Sequence, residues 1–91
     1  MEKKNLFVEI RKATEQNADK SLTDIYKARK KAIIDYYEAD VVGKDIYKAS
    51  QTLGRWWVLV AQTAGKSYYF ERAGFGSLTL VCENNIVTKI R

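Results

Sequence analysis

Between Arg55 and Arg72 the chain runs RWWVLVAQTAGKSYYFER, two stretches of β-branched and aromatic residues joined by Thr63-Ala64-Gly65-Lys66. Such residues pack well on a pleated surface, and a short run containing Gly supplies a turn, so the stretch predicts a β-hairpin. A four-residue loop would set Ala61 opposite Tyr68, Leu59 opposite Phe70 and Trp57 opposite Arg72. The other face then carries Trp56, Val58, Val60, Tyr69 and Glu71. An arm apolar on both sides is expected at the centre of a covered sheet. The core of the protein is therefore expected here.

The rest of the chain must supply that cover. Its 91 residues, 46% of them apolar, suit a single domain with one modest core. No apolar run approaches the roughly 20 residues that span a bilayer. The opening MEKKNLFVEI is interrupted by Glu9 and does not read as a signal peptide. One cysteine, Cys82, cannot form an internal disulfide, so a reduced, cytoplasmic chain is expected. The absence of histidine removes Ser-His-Asp and Cys-His chemistry and His metal ligands. Neither a metal nor a cofactor is expected, and an enzyme less so than a binding protein.

Along the first half, Leu6, Ile10 and Ala13 recur at helical spacing and favour a helix over 2–17, with a strand over Asn5–Ile10 as the competing reading. Ser21 and Asp24 form a capping-box-like start. Beyond it Ile25, Ala28, Ala32, Tyr36 and Ala39 make an apolar stripe, widened by Ile33 and Tyr37. Gly43 is expected to end this helix, and a further one runs from Lys44 to Leu53 with Gly54 closing it. The pentapeptide Asp24-Ile25-Tyr26-Lys27-Ala28 recurs as Asp45-Ile46-Tyr47-Lys48-Ala49, two similar turns that would each dock an Ile and a Tyr.

After the hairpin, Ala73-Gly74-Phe75-Gly76 leads to a strand over Ser77–Cys82, and Ile86–Ile90 makes the last one. Direct pairing across a two-residue Asn84-Asn85 turn would oppose Leu80 and Lys89. A three-residue loop, Glu83-Asn84-Asn85, instead gathers Leu78, Leu80, Cys82, Ile86 and Ile90 on one face, and is preferred. Thr79, Val81, Val87, Lys89 and Arg91 fall on the other. The expected fold is α+β, a single domain over residues 1–91. Two or three helices within residues 1–53 would pack on one face of a four-stranded antiparallel meander over residues 55–91.

Charge points to a surface. Residues 1–45 hold ten Lys/Arg against nine Asp/Glu, a net of +1, and residues 46–91 hold six against two, a net of +4. The excess thus sits with the aromatic-rich strands. Lys27, Arg29, Lys30 and Lys31 on the long helix are balanced by Asp24, Asp35 and Glu38 and read as a solvated face. Ala64-Gly65-Lys66-Ser67 lacks the earlier glycine of a phosphate loop, since Val60 stands there, and no helix follows. Lys66 remains available to an anion at the hairpin tip. Phe75, between two glycines, either stacks on a base or folds over the core edge.

The candidate binding set is Arg55, Trp56, Lys66, Tyr69, Arg72, Lys89 and Arg91. Rings that stack on bases beside cations that meet phosphates are the combination used for single-stranded nucleic acid, DNA or RNA. The first expectation is therefore a small basic nucleic-acid-binding accessory or regulatory protein. Val58, Val60, Val81 and Val87, expected on the same face, support a second reading: a protein-interaction module or inhibitor of the mobile-element kind, dimerising or binding a protein partner there. The order of helices followed by a meander ending in basic residues resembles in layout the small ribonuclease toxins of toxin–antitoxin systems. That layout implies a third reading, a ribonuclease without histidine using Tyr69, Arg72, Lys89 and Arg91.

Overall fold

The computed structural model describes residues 5–62 and 66–91, with the side chains of 58–62 outside that description. Residues 63–65, which include most of the expected first hairpin turn, also lie outside the described residues. The class is α+β. Helices α1 (Leu6–Gln16), α2 (Leu22–Val41) and α3 (Ile46–Leu53) precede strands β1 (Trp57–Gln62), β2 (Ser67–Arg72), β3 (Gly76–Glu83) and β4 (Ile86–Ile90). The chain divides into two compact units, residues 1–36 and 37–91. The division falls inside α2, not between the helices and the strands.

In the first unit, Asn5 fixes where α1 begins: its side-chain oxygen accepts from the backbone N–H of Phe7 at 2.9 Å and of Val8 at 3.3 Å. Those donors have no partner within the helix, and a cap of this kind contributes about 1 kcal/mol. The cap decides between helix and strand for this segment, and Leu6 and Ile10 are buried one turn apart. Asn17 ends α1 by donating its side-chain amide to the Ala13 carbonyl at 2.7 Å. At the start of α2, Ser21 Oγ accepts from the Asp24 N–H at 3.3 Å.

The buried line of α2 is Ile33, Tyr37 and Val41, at intervals of four. Ala39, expected on the apolar stripe, is exposed, because the stripe is turned toward the larger side chains that gain most from burial. The repeated pentapeptide does not dock two tyrosines, since Tyr26 and Tyr47 are 61% and 74% exposed. Asp45 is instead the N-cap of α3, accepting from the Lys48 N–H at 3.0 Å, which moves the start of that helix from Lys44 to Ile46.

In the second unit the strands lie in chain order, every neighbour antiparallel. Strand β1 pairs along β2, and of its side chains that of Trp57 is described. Phe70, Leu78, Leu80, Cys82, Val87 and Ile90 are buried on one face. The segment preceding α3 closes the outer edge of β4. Gly43 N–H donates to the Val87 carbonyl at 2.7 Å, Val87 N–H to the Lys44 carbonyl at 2.8 Å, and Ile46 N–H to the Asn85 carbonyl at 2.8 Å. Gly43 reaches this position with φ +89°, where residues bearing a Cβ are strained.

Two β-bulges change the registers expected from the sequence. In β1 the pairing runs Trp57↔Glu71 and Val58↔Phe70, then resumes at Val60↔Tyr69 and Ala61↔Tyr68. Ala61 is therefore opposite Tyr68 as expected, but Leu59 is the extra residue and Trp57 faces Glu71, not Arg72. Because side chains alternate, a slip of one residue exchanges the faces of everything beyond it. Trp56 is accordingly buried, at 4% exposure, and Trp57 is 74% exposed, the reverse of the expected placement.

The second correction concerns the last hairpin. Glu83 pairs with Ile86, so the turn is the two-residue Asn84-Asn85, both with positive φ of 52° and 66°. Asparagine tolerates that conformation, and a turn with two such residues matches the twist of the strands. The register then shifts between Cys82↔Val87 and Val81↔Lys89, which leaves Thr88 without an opposite residue and sets Leu80 against Ile90. The bulge thus delivers the apolar pairing for which a three-residue loop was expected. It also exchanges Ile86, 39% exposed, and Val87, buried at 1%.

Cys82 lies on the buried face at 5% exposure. Burial pushes its thiol above the ordinary value near 9, because the thiolate would lose its hydration. The native protein is expected to react with a thiol reagent far more slowly than the unfolded chain near pH 8. Rapid labelling of the native state would contradict this register. The sign for stability follows: the unfolded thiol ionises first, so this contribution is intact below pH 9 and declines as pH rises above it.

Candidate functional site

Cα partners on neighbouring strands direct their side chains to the same side of a sheet, with Cβ atoms about 4.5–5.5 Å apart. On the side opposite the core this gives three rows. The first is Tyr69, Thr79 and Arg91: Tyr69 pairs with Thr79, whose N–H and carbonyl exchange bonds with Arg91 at 2.6 and 2.9 Å. The second is Ser67, Val81 and Lys89. The third is Trp57, Glu71 and Ser77. Lys89, Arg91, Glu71 and Trp57 are exposed, and Tyr69, Thr79 and Val81 are half-buried.

The candidate residues separate into groups. Tyr69, Lys89 and Arg91 do share one face. Arg55 is exposed immediately before Trp56 and Trp57, and a depression of about 410 Å³ is lined by Gly54, Arg55, Trp56 and Trp57. Lys66 is exposed immediately before β2, its carbonyl accepting from the Cys82 N–H at 2.7 Å. Among the described residues the ion pairs are Lys12–Glu9 and Lys31–Asp35, so Arg55, Lys66, Lys89 and Arg91 are not neutralised by a carboxylate there.

Trp56 and Arg72 belong elsewhere. Arg72 has the strand parity of Phe70, and its guanidinium sits 4.0 Å from the centre of the Phe75 ring. Phe75 meets Trp56 edge-on at 6.2 Å between centroids, and Trp56 meets Tyr37 at the same distance with planes at 87°. The Trp56 indole N–H donates to the Tyr37 hydroxyl at 3.1 Å, which satisfies both groups inside the core. Gly74 and Gly76, at φ +82° and +106°, form the corner that folds Phe75 back over this cluster, so its ring is not an exposed platform. The four groups of the ribonuclease reading are therefore not assembled, since Arg72 points away from Tyr69, Lys89 and Arg91.

The residue that sequence reasoning missed is Trp57, the most exposed ring on the outer face. Adjacent tryptophans in a strand place one in and one out. Only the bulge at Leu59 decides which. The expected apolar patch also shrinks, because Val87 belongs to the core; the side chains of Val58 and Val60 lie outside the described residues.

Among the described residues no group of acidic or cysteine side chains could hold a metal ion, and no helix is long and apolar enough to cross a membrane. In the comparisons with known proteins, no family model matches the chain, and neither a curated protein nor a solved structure does.

Proposed function

We propose that this protein binds single-stranded nucleic acid across the outer face of its sheet. The observation that supports it is the sharing of that face by Trp57, Tyr69, Lys89 and Arg91, with the two cations unpaired among the described residues. Rings there stack on bases irrespective of sequence, and the cations follow the phosphates. The protein acts as a binding or regulatory factor, with no cofactor in the process.

Salt dependence separates this reading from its rivals. Affinity for a single-stranded oligonucleotide is expected to fall steeply with salt as condensed counterions are released. Replacing Lys89 and Arg91 together by alanine should flatten the slope of log K against log salt by about 1.4, at about 0.7 for each cation on a single strand. Trp57→Ala should weaken binding by about 1–3 kcal/mol and leave the slope unchanged, because stacking releases few ions. Lys30→Ala with Lys31→Ala is the control. Loss of binding in that pair, with the sheet variants unaffected, would make α2 the reader. No binding to DNA or RNA at low salt would move the face to a protein partner.

A further inference from the structure

The outer face carries one feature that phosphate binding does not explain. Glu71 is an exposed carboxylate on the face that carries Lys89 and Arg91, directly paired with Trp57, and forms no ion pair among the described residues. A negative charge there repels phosphates. Its position next to the most exposed ring gives it a different use.

Resting on the nucleic-acid reading, we infer that Trp57, Glu71 and Arg55 form a subsite that prefers guanine. A base stacked on the Trp57 indole presents its edge toward the neighbouring strand, where Glu71 stands about 5 Å away from Cβ to Cβ. Guanine offers N1–H and N2–H side by side, two parallel donors matched to the two oxygens of a carboxylate. That is the fork geometry which makes bidentate pairs strong and selective. Adenine and cytosine set a ring-nitrogen acceptor beside their amino group, and uracil flanks its single N–H with two carbonyls. Each of those opposes an acceptor to the carboxylate. Arg55 adjoins Trp57 in the depression of about 410 Å³ and is placed to take the phosphate of the same nucleotide. Gly54, at φ +61°, turns the chain into this position.

The test compares a ten-nucleotide oligouridine with the same oligomer carrying one central guanosine, followed by quenching of tryptophan fluorescence. Trp57 is exposed and Trp56 buried, so quenching on binding reports chiefly on Trp57. The guanosine oligomer is expected to bind about tenfold more tightly, the scale of one bidentate base contact. Glu71→Gln should abolish that difference while binding oligouridine as well as, or better than, the unaltered protein. Arg55→Ala should weaken both oligomers alike. Equal binding of the two oligomers would overturn the guanine subsite and leave the proposed function standing. A preference that survives Glu71→Gln would overturn the role of the carboxylate. Binding of neither oligomer would overturn the proposed function and the subsite together.

Discussion

Trp56→Ala is expected to destabilise the protein by about 3–5 kcal/mol, whereas Trp57→Ala should change stability by no more than about 0.5 kcal/mol. The contrast follows from the bulge at Leu59. Trp56 is buried, meets two rings edge-on and donates its indole N–H to Tyr37. Its truncation opens a large cavity and leaves the Tyr37 hydroxyl without that donor, and the two costs add. Small domains have only about 5–15 kcal/mol in all, so the variant should unfold at markedly lower urea concentration. Tyr37→Phe isolates the hydrogen bond and should cost about 1 kcal/mol. Equal effects of the two tryptophan substitutions would show that the strand lacks the bulge.

Val87→Asp should be among the most damaging single changes in the chain, at more than about 4 kcal/mol, with Ile86→Asp costing well under half of that. Val87 is 1% exposed on the core face, between Cys82 on β3 and the segment that closes the β4 edge. An aspartate there must either stay ionised without a partner or take up a proton at the expense of folding. Ile86 follows the Asn-Asn turn at 39% exposure, so a carboxylate at that position keeps its water. A three-residue loop would reverse the order of the two effects. Chemical denaturation of both variants therefore reads the register of the last hairpin directly. The slope of the transition should remain that of the parent protein, since the surface exposed on unfolding is nearly unchanged.

Both registers illustrate where sequence reasoning stops. Alternation correctly identified Phe70, Leu78, Leu80 and Cys82 as inward-facing, because a single apolar period runs through β2 and β3. It also identified Ile90, which lies beyond the bulge at Thr88. It misassigned Trp56, Trp57, Ile86 and Val87, each close to a bulge or a turn. At those places two apolar residues stand side by side, Trp56-Trp57 and Ile86-Val87, so either register would bury a comparable area. The choice falls to cross-strand pairing and to the closing of the β4 edge by residues 43–46. Of the candidate site, Tyr69, Lys89 and Arg91 were legible from parity alone. Arg72 was not, because its position depends on Phe75 folding back through the Gly74 and Gly76 corner.

The α+β class, the helix boundaries marked by Ser21, Gly43 and Gly54, and the concentration of unbalanced positive charge in the second half are all legible in the order of the residues. These are local properties: a cap, a glycine or a charge acts through its nearest neighbours in the chain. The tertiary structure alone decided which tryptophan faces outward, that Asn84 and Asn85 form a two-residue turn, and that Glu71 stands beside an exposed ring. A bulge changes the side of every residue beyond it at small local cost. Its position is therefore fixed by what the whole strand pairs with, and not by the residues at the bulge itself.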